Sequence, residues 1–169
     1  MFNIGDLIIY SAHGLCKIDD ICDKTISGIT RKYYVMHPVK NSQQLTISTP
    51  VDNDKVVMLE LIDKEEAREI LESFKQPGIR WDDKPNSRNQ VFSDIVNTGN
   101  RKEIAKVVNT LLRKKLAAEA NEKKLYEQDN RLLNHVQNIL FEELAISLNT
   151  NIDGINNTVI RFLKCNEPN

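Results

Sequence analysis

No stretch of the 169-residue chain approaches the roughly 18 uninterrupted apolar residues that a membrane-spanning helix needs. The opening run, MFNIGDLIIY, is short, contains an acid and carries no basic leader. A signal peptide is therefore not expected, and the protein is expected to stay in the cytoplasm. The three cysteines, Cys16, Cys22 and Cys165, are odd in number and form no Cys-x-x-Cys pair. They fit reduced thiols, with Cys16 and Cys22 as packing residues, rather than a disulfide framework. Neither G-x-x-x-x-G-K-[ST] nor G-x-G-x-x-G occurs, so no phosphate-cradling loop is expected. His13, His37 and His135 have no carboxylate or cysteine at metal-ligand spacing. His13 reads as a turn residue, His37 as a strand end and His135 as a helix flank. Glu142 and Glu143 are adjacent on a helical segment and so point about 100° apart, which does not suit paired acid–base work. These absences lead us to expect no catalytic residue, no metal, no cofactor and no small-molecule substrate.

An excess of charge is also absent, since the formal net charge is −1. Its distribution is uneven. Residues 1–62 carry six basic and seven acidic side chains, whereas residues 80–124 carry eleven basic against six acidic, a local net of +5. A phosphate senses such a patch over a Debye length of about 8 Å and not the average of the whole chain.

Two hydrophobic periods divide the chain. Segments 6–10, 15–22, 32–38, 44–49 and 56–62 are short, rich in Ile, Val, Tyr and Thr, and read as strands. His13-Gly14, Ser27-Gly28, Asn41-Ser42 and residues 50–54 supply the turns. From Asp63 onward the period becomes helical. Asp63/Glu66, Ser87/Gln90, Asn100/Glu103 and Thr150/Asp153 have capping-box spacing. Pro77-Gly78 and Gly99 mark helix ends. Helices are expected from 63 to 74, 87 to 97, 100 to about 116, 129 to 148 and 150 to 162, followed by a frayed NEPN tail. The expected fold is α+β: an N-terminal Tudor/SH3-like β-barrel over residues 1–62 and an all-helical domain over 63–169.

Within that frame, two features of the helical half and one of the barrel carry chemistry. Ile104, Val107, Val108, Leu111, Leu112 and Leu116 define an apolar helix face. On a helix wheel, Lys102, Lys106, Asn109 and Arg113 fall opposite it. That stripe reads either as a track for a phosphate backbone or as a solvated polar face. The only tryptophan, Trp81, sits among breakers in PGIRWDDKPNSR. It reads either as a core anchor or as an aromatic that stacks on a base or wedges into a minor groove, with Arg80, Lys84 and Arg88 beside it. In the barrel, segment 44–49 alternates polar and apolar, with Thr46 and Ser48 outward, and is the candidate edge strand for adding to a partner sheet. The Lys24–Ile26 strand is the alternative contact.

The opening FNIGDLIIYSAHGLCKIDDI resembles the start of the CarD/CdnL family, in which G-D-x-V-V-Y-x-x-H-G opens the polymerase-interacting domain. Gly5, Asp6, Tyr10, His13 and Gly14 match. KYYVMHPV and QLTISTP resemble the next two strands. NTGNRKEIAKVVNTLLRKK and NILFEELAISLN resemble the family's S-G-D-x-x-x-V-A-x-V-V-x-x-L and I-L-x-x-E-L-A-L stretches. The resemblance implies a barrel that docks on the β subunit of bacterial RNA polymerase. It further implies a helical domain that reaches upstream promoter DNA and a tryptophan that enters the minor groove and stabilises the open complex. The barrel also occurs in the transcription-repair coupling factor, but this chain has no ATPase motif and resembles the stand-alone regulator. Lys24 matches a basic position before T-I-x-G. Ser48 stands where many members have a basic residue, and Ser11 where they have proline. Trp81 lies further from Arg88 than the corresponding tryptophan does from its helix start. Two other readings compete: a polymerase-binding adaptor without DNA contact, and an SH3-like peptide binder with a helical dimerisation domain.

Overall fold

The computed structural model describes residues 1–10, 13–40 and 43–165. Expectations placed on Ser11, on the Asn41-Ser42 turn and on the 166–169 tail lie outside these residues. The chain separates into two compact units, Met1–Leu61 and Ile62–Asn169.

The first unit is one antiparallel five-stranded sheet, ordered β4-β3-β2-β1-β5. Its strands are β1 (Leu7–Tyr10), β2 (Gly14–Ile26), β3 (Ile29–Pro38), β4 (Ile47–Pro50) and β5 (Met58–Glu60). Alternation puts Ile8, Tyr10, Cys16, Ile18, Tyr34 and Met36 into a small core, as a half-buried strand surface requires. Cys16 is buried and Cys22 half-buried. His13 N–H donates to the Tyr10 carbonyl at 2.9 Å, and the His13 ring stacks on Tyr10. His37 Nδ1 lies 2.6 Å from Asp19 across the β2–β3 ladder, a partner that sequence spacing did not reveal.

Two boundaries differ from expectation. β2 and β3 run on to a two-residue turn, with Ile26 opposite Ile29. Ser27 at φ 53° and Gly28 at φ 78° give the doubly left-handed turn that matches strand twist. β4 begins at Ile47, so Thr46 is exposed ahead of the strand and takes no part in its ladder. β4 is nevertheless an edge of the sheet.

The second unit holds α1 (Lys64–Ser73), α2 (Pro85–Asn97), α3 (Arg101–Ala120), α4 (Glu127–Ser147) and α5 (Ile152–Cys165). Asp63 and Asn100 cap α1 and α3 by accepting from the amides of Glu66 and Glu103. α2 starts earlier than the Ser87/Gln90 signature implies. Pro85 occupies its first turn, where the missing N–H would have no intrahelical acceptor anyway. α5 is capped by Asn151, which accepts from Gly154 N–H at 2.7 Å, and not by Thr150. α3 is the central helix: residues 107–112 are all buried, so it is less amphipathic than its heptad-like apolar face suggests. None of the described helices is long and apolar enough to cross a membrane.

Candidate functional site

The loop between α1 and α2 carries Trp81, and α3 fixes that loop. Ile79 N–H donates to Thr110 Oγ1 at 2.6 Å, and the Thr110 hydroxyl donates back to the Ile79 carbonyl at 3.0 Å. Gly78 permits this approach: a Cβ there would collide with Thr110 Oγ1 and stand 2.8 Å from the Lys106 carbonyl. The resulting groove, 440 Å³ in volume, is lined by Lys75, Pro77, Gly78, Ile79, Trp81, Thr110, Arg113 and Lys114. Trp81 is half-buried at its rim, between the two alternatives the sequence left open. Its ring packs on Phe92 with centroids 6.4 Å apart. The Arg88 guanidinium lies 4.1 Å and the Lys114 ammonium 4.8 Å from the indole centroid, both within cation–π range.

Several of the candidate phosphate contacts have partners within the protein. Arg88 is only 4% exposed, and the Nε and Nη2 groups along one edge of its guanidinium donate to Asp129. A third N–H reaches the Asp82 carbonyl at 2.7 Å. That cation is committed inside the protein. Asn109 is buried and donates to the Gln76 carbonyl at 2.8 Å. Arg113 donates to Asn109 Oδ1 at 2.7 Å and to the Phe74 carbonyl at 3.3 Å. The two residues thereby satisfy the carbonyls that end α1, the negative pole of that helix. Lys102 and Lys106 are exposed, but each has an acid: Glu69 at 2.9 Å and Glu103 at 2.9 Å. The bond from Glu69 raises the Lys102 pKa above its ordinary value. Glu69 comes from α1, and Glu103 reaches its i+3 neighbour.

Arg80 and Lys84 remain exposed near Trp81, without a salt bridge among the described residues. Lys114, which we had not singled out in the sequence, joins them: exposed and on the groove. Its signal was adjacency to Arg113 in the basic run 113–115, one position off the stripe. Asp82 faces inward to its own loop. A hydrogen bond from the Ser87 hydroxyl, followed by one from the Lys84 amide, lowers its pKa below the ordinary carboxylate value.

In the first unit, Lys24 and Ser48 come together. The Lys24 ammonium donates to Ser48 Oγ at 2.7 Å, so the two sequence candidates from β2 and β4 share one surface. Ile26 extends it to the hairpin tip, where Ile26 and Ile29 are 55% and 57% exposed. Ile29 was not expected there, because the strand extension that places it opposite Ile26 was missed. Thr46 is exposed, outside the strand. No cluster of three or more metal-ligating side chains occurs among the described residues.

The chain thus holds a sheet with an exposed edge strand and a helical unit with a groove that Arg113 and Lys114 line. Residues 2–62 match the CarD-like/TRCF RID domain, and residues 57–159 match the CarD C-terminal domain. The chain belongs to the CarD family, and the protein is a transcription regulator that binds RNA polymerase.

Proposed function

We propose that this cytoplasmic regulator docks on the polymerase β subunit through the Lys24–Ile26 and Ser48 surface. In this reading the helical unit lays the Trp81 groove against upstream promoter DNA and so stabilises the open complex. One observation carries the DNA contact: a half-buried indole at the rim of a groove to which Lys114 brings an exposed ammonium, held over the indole and without a salt bridge among the described residues. Arg80 and Lys84 flank the same loop. Such a site favours DNA whose minor groove is widened at a melting junction, because an aromatic wedge gains contact there and loses nothing to unstacking. Preference for open over closed DNA is what shifts that equilibrium.

Salt dependence tests this. Lys114→Gln should flatten the log–log salt slope of polymerase–promoter binding by about one unit, one phosphate contact. Lys102→Gln with Lys106→Gln should leave it unchanged, since each lysine already has a carboxylate. The adaptor reading, with no DNA contact, draws support from those same neutralised lysines and from the commitment of Arg88 and Arg113. A slope indifferent to Lys114 would establish the adaptor instead.

The polymerase contact is tested separately. Lys24→Glu places an acid against Ser48 on the β4 edge and should weaken capture of the β subunit by the full chain about tenfold, as loss of a desolvated charged contact does. Melting of the helical unit should not move. Undiminished capture would transfer the docking surface to another part of the sheet.

A further inference from the structure

We infer that Arg88 and Asp129 are the positioning pair for Trp81, a buried ion pair whose task is to hold the indole at the groove rim. This rests on the proposed DNA contact of Trp81 and adds residues that never touch DNA themselves. Arg88 belongs to the second turn of α2 and Asp129 to the first turn of α4, where a carboxylate is favoured by the helix dipole. Their side chains are 4% and 2% exposed.

The guanidinium makes three kinds of contact at once. Its Nε and Nη2 form a fork on the Asp129 carboxylate, with Nε to Oδ1 at 3.0 Å. Its Nη1 donates to the carbonyl of Asp82, the residue after Trp81, at 2.7 Å. Its Cζ lies over the indole, 4.1 Å from the ring centroid. One planar group thus ties two helices to the loop backbone and forms a bed for the ring. Lysine could not do this, because a point ammonium cannot fork and stack together. The fork holds the guanidinium in place over the ring, and a guanidinium held there restrains the ring at the groove rim. A buried ion pair is weak evidence of stabilisation, since an apolar pair of similar volume often does as well. Holding an aromatic in a defined pose is a task that an apolar pair would not perform.

Trp81 is the sole tryptophan, so its fluorescence reports the pose directly. The double variant Arg88→Met with Asp129→Leu removes both charges and strands neither, and should fold with a melting temperature near that of the wild type. In it, the emission of Trp81 should shift to the red and iodide quenching should rise. The open-complex lifetime should shorten about tenfold, as for loss of one aromatic contact, while capture of polymerase is unchanged. Asp129→Glu keeps the charge and should restore much of the quenching protection. Unaltered emission and quenching in a folded double variant would overturn the positioning role. If quenching rises but neither the double variant nor Trp81→Ala changes the lifetime, the pair positions Trp81 and the DNA reading fails instead.

Discussion

Glu143→Ala should remove a large part of the stability of the helical unit. The Glu143 carboxylate is 2% exposed and accepts from Arg101 Nη2 at 3.0 Å, Arg101 Nε at 3.3 Å and the Ile62 amide at 3.1 Å. It links α4 to the start of α3 and to the first residue of the unit. Ser147, one turn on, donates its hydroxyl to the Ile62 carbonyl at 2.8 Å, so both polar groups of Ile62 are met by α4. Alanine takes the carboxylate away from a largely buried guanidinium and leaves the Ile62 N–H without its acceptor. Breaking one side of a buried pair costs about 3–5 kcal/mol, against a total of about 5–15 kcal/mol for a domain. Glu143→Gln keeps an acceptor for the Ile62 amide and should lose less. A thermal melt of the three proteins decides this. Equal melting of the glutamine and alanine variants would place the whole effect in the ion pair, and an unshifted alanine variant would refute the account.

The class of the fold was legible in the sequence because its signals are local. Strand alternation, the change of period near Asp63 and the Asp63 and Asn100 caps all lie within a few residues of what they specify. Much of what was not legible depends on partners distant in sequence. A helix wheel shows what a single helix offers and not what its neighbours contribute. Glu69 on α1 and the carbonyls of Phe74 and Gln76 face α3 only after folding, so Lys102 and Arg113 have partners that their own helix does not show. Arg88 was placed beside Trp81 as a candidate DNA contact, yet its partner Asp129 is 41 residues away. The Lys24–Ser48 pair was accessible as two separate candidates, and the hydrogen bond between them depends on β3 lying between β2 and β4. Lys114 was passed over for the same reason: its position on the groove depends on where the Trp81 loop is pinned.

Trp81→Ala should shorten the open-complex lifetime by far more than its loss of stability would suggest. A fully buried tryptophan would cost about 3–5 kcal/mol on truncation. Trp81 is half-buried and keeps one side toward the groove, so a loss on the order of 1–2 kcal/mol is expected, or roughly 4–16 °C in melting temperature for a unit of this size. Loss of an aromatic contact to DNA of about 1–3 kcal/mol corresponds to a roughly five- to hundredfold faster decay. Trp81→Phe separates the two effects. Phenylalanine still packs on Phe92 and on the Arg88 face, so its melting should approach that of the wild type. It offers less area and a weaker cation–π surface to Lys114, so its open complex should decay at a rate between wild type and alanine. If decay instead follows melting across all three proteins, or does not change at all, Trp81 is a packing residue and the groove contacts DNA through its lysines alone.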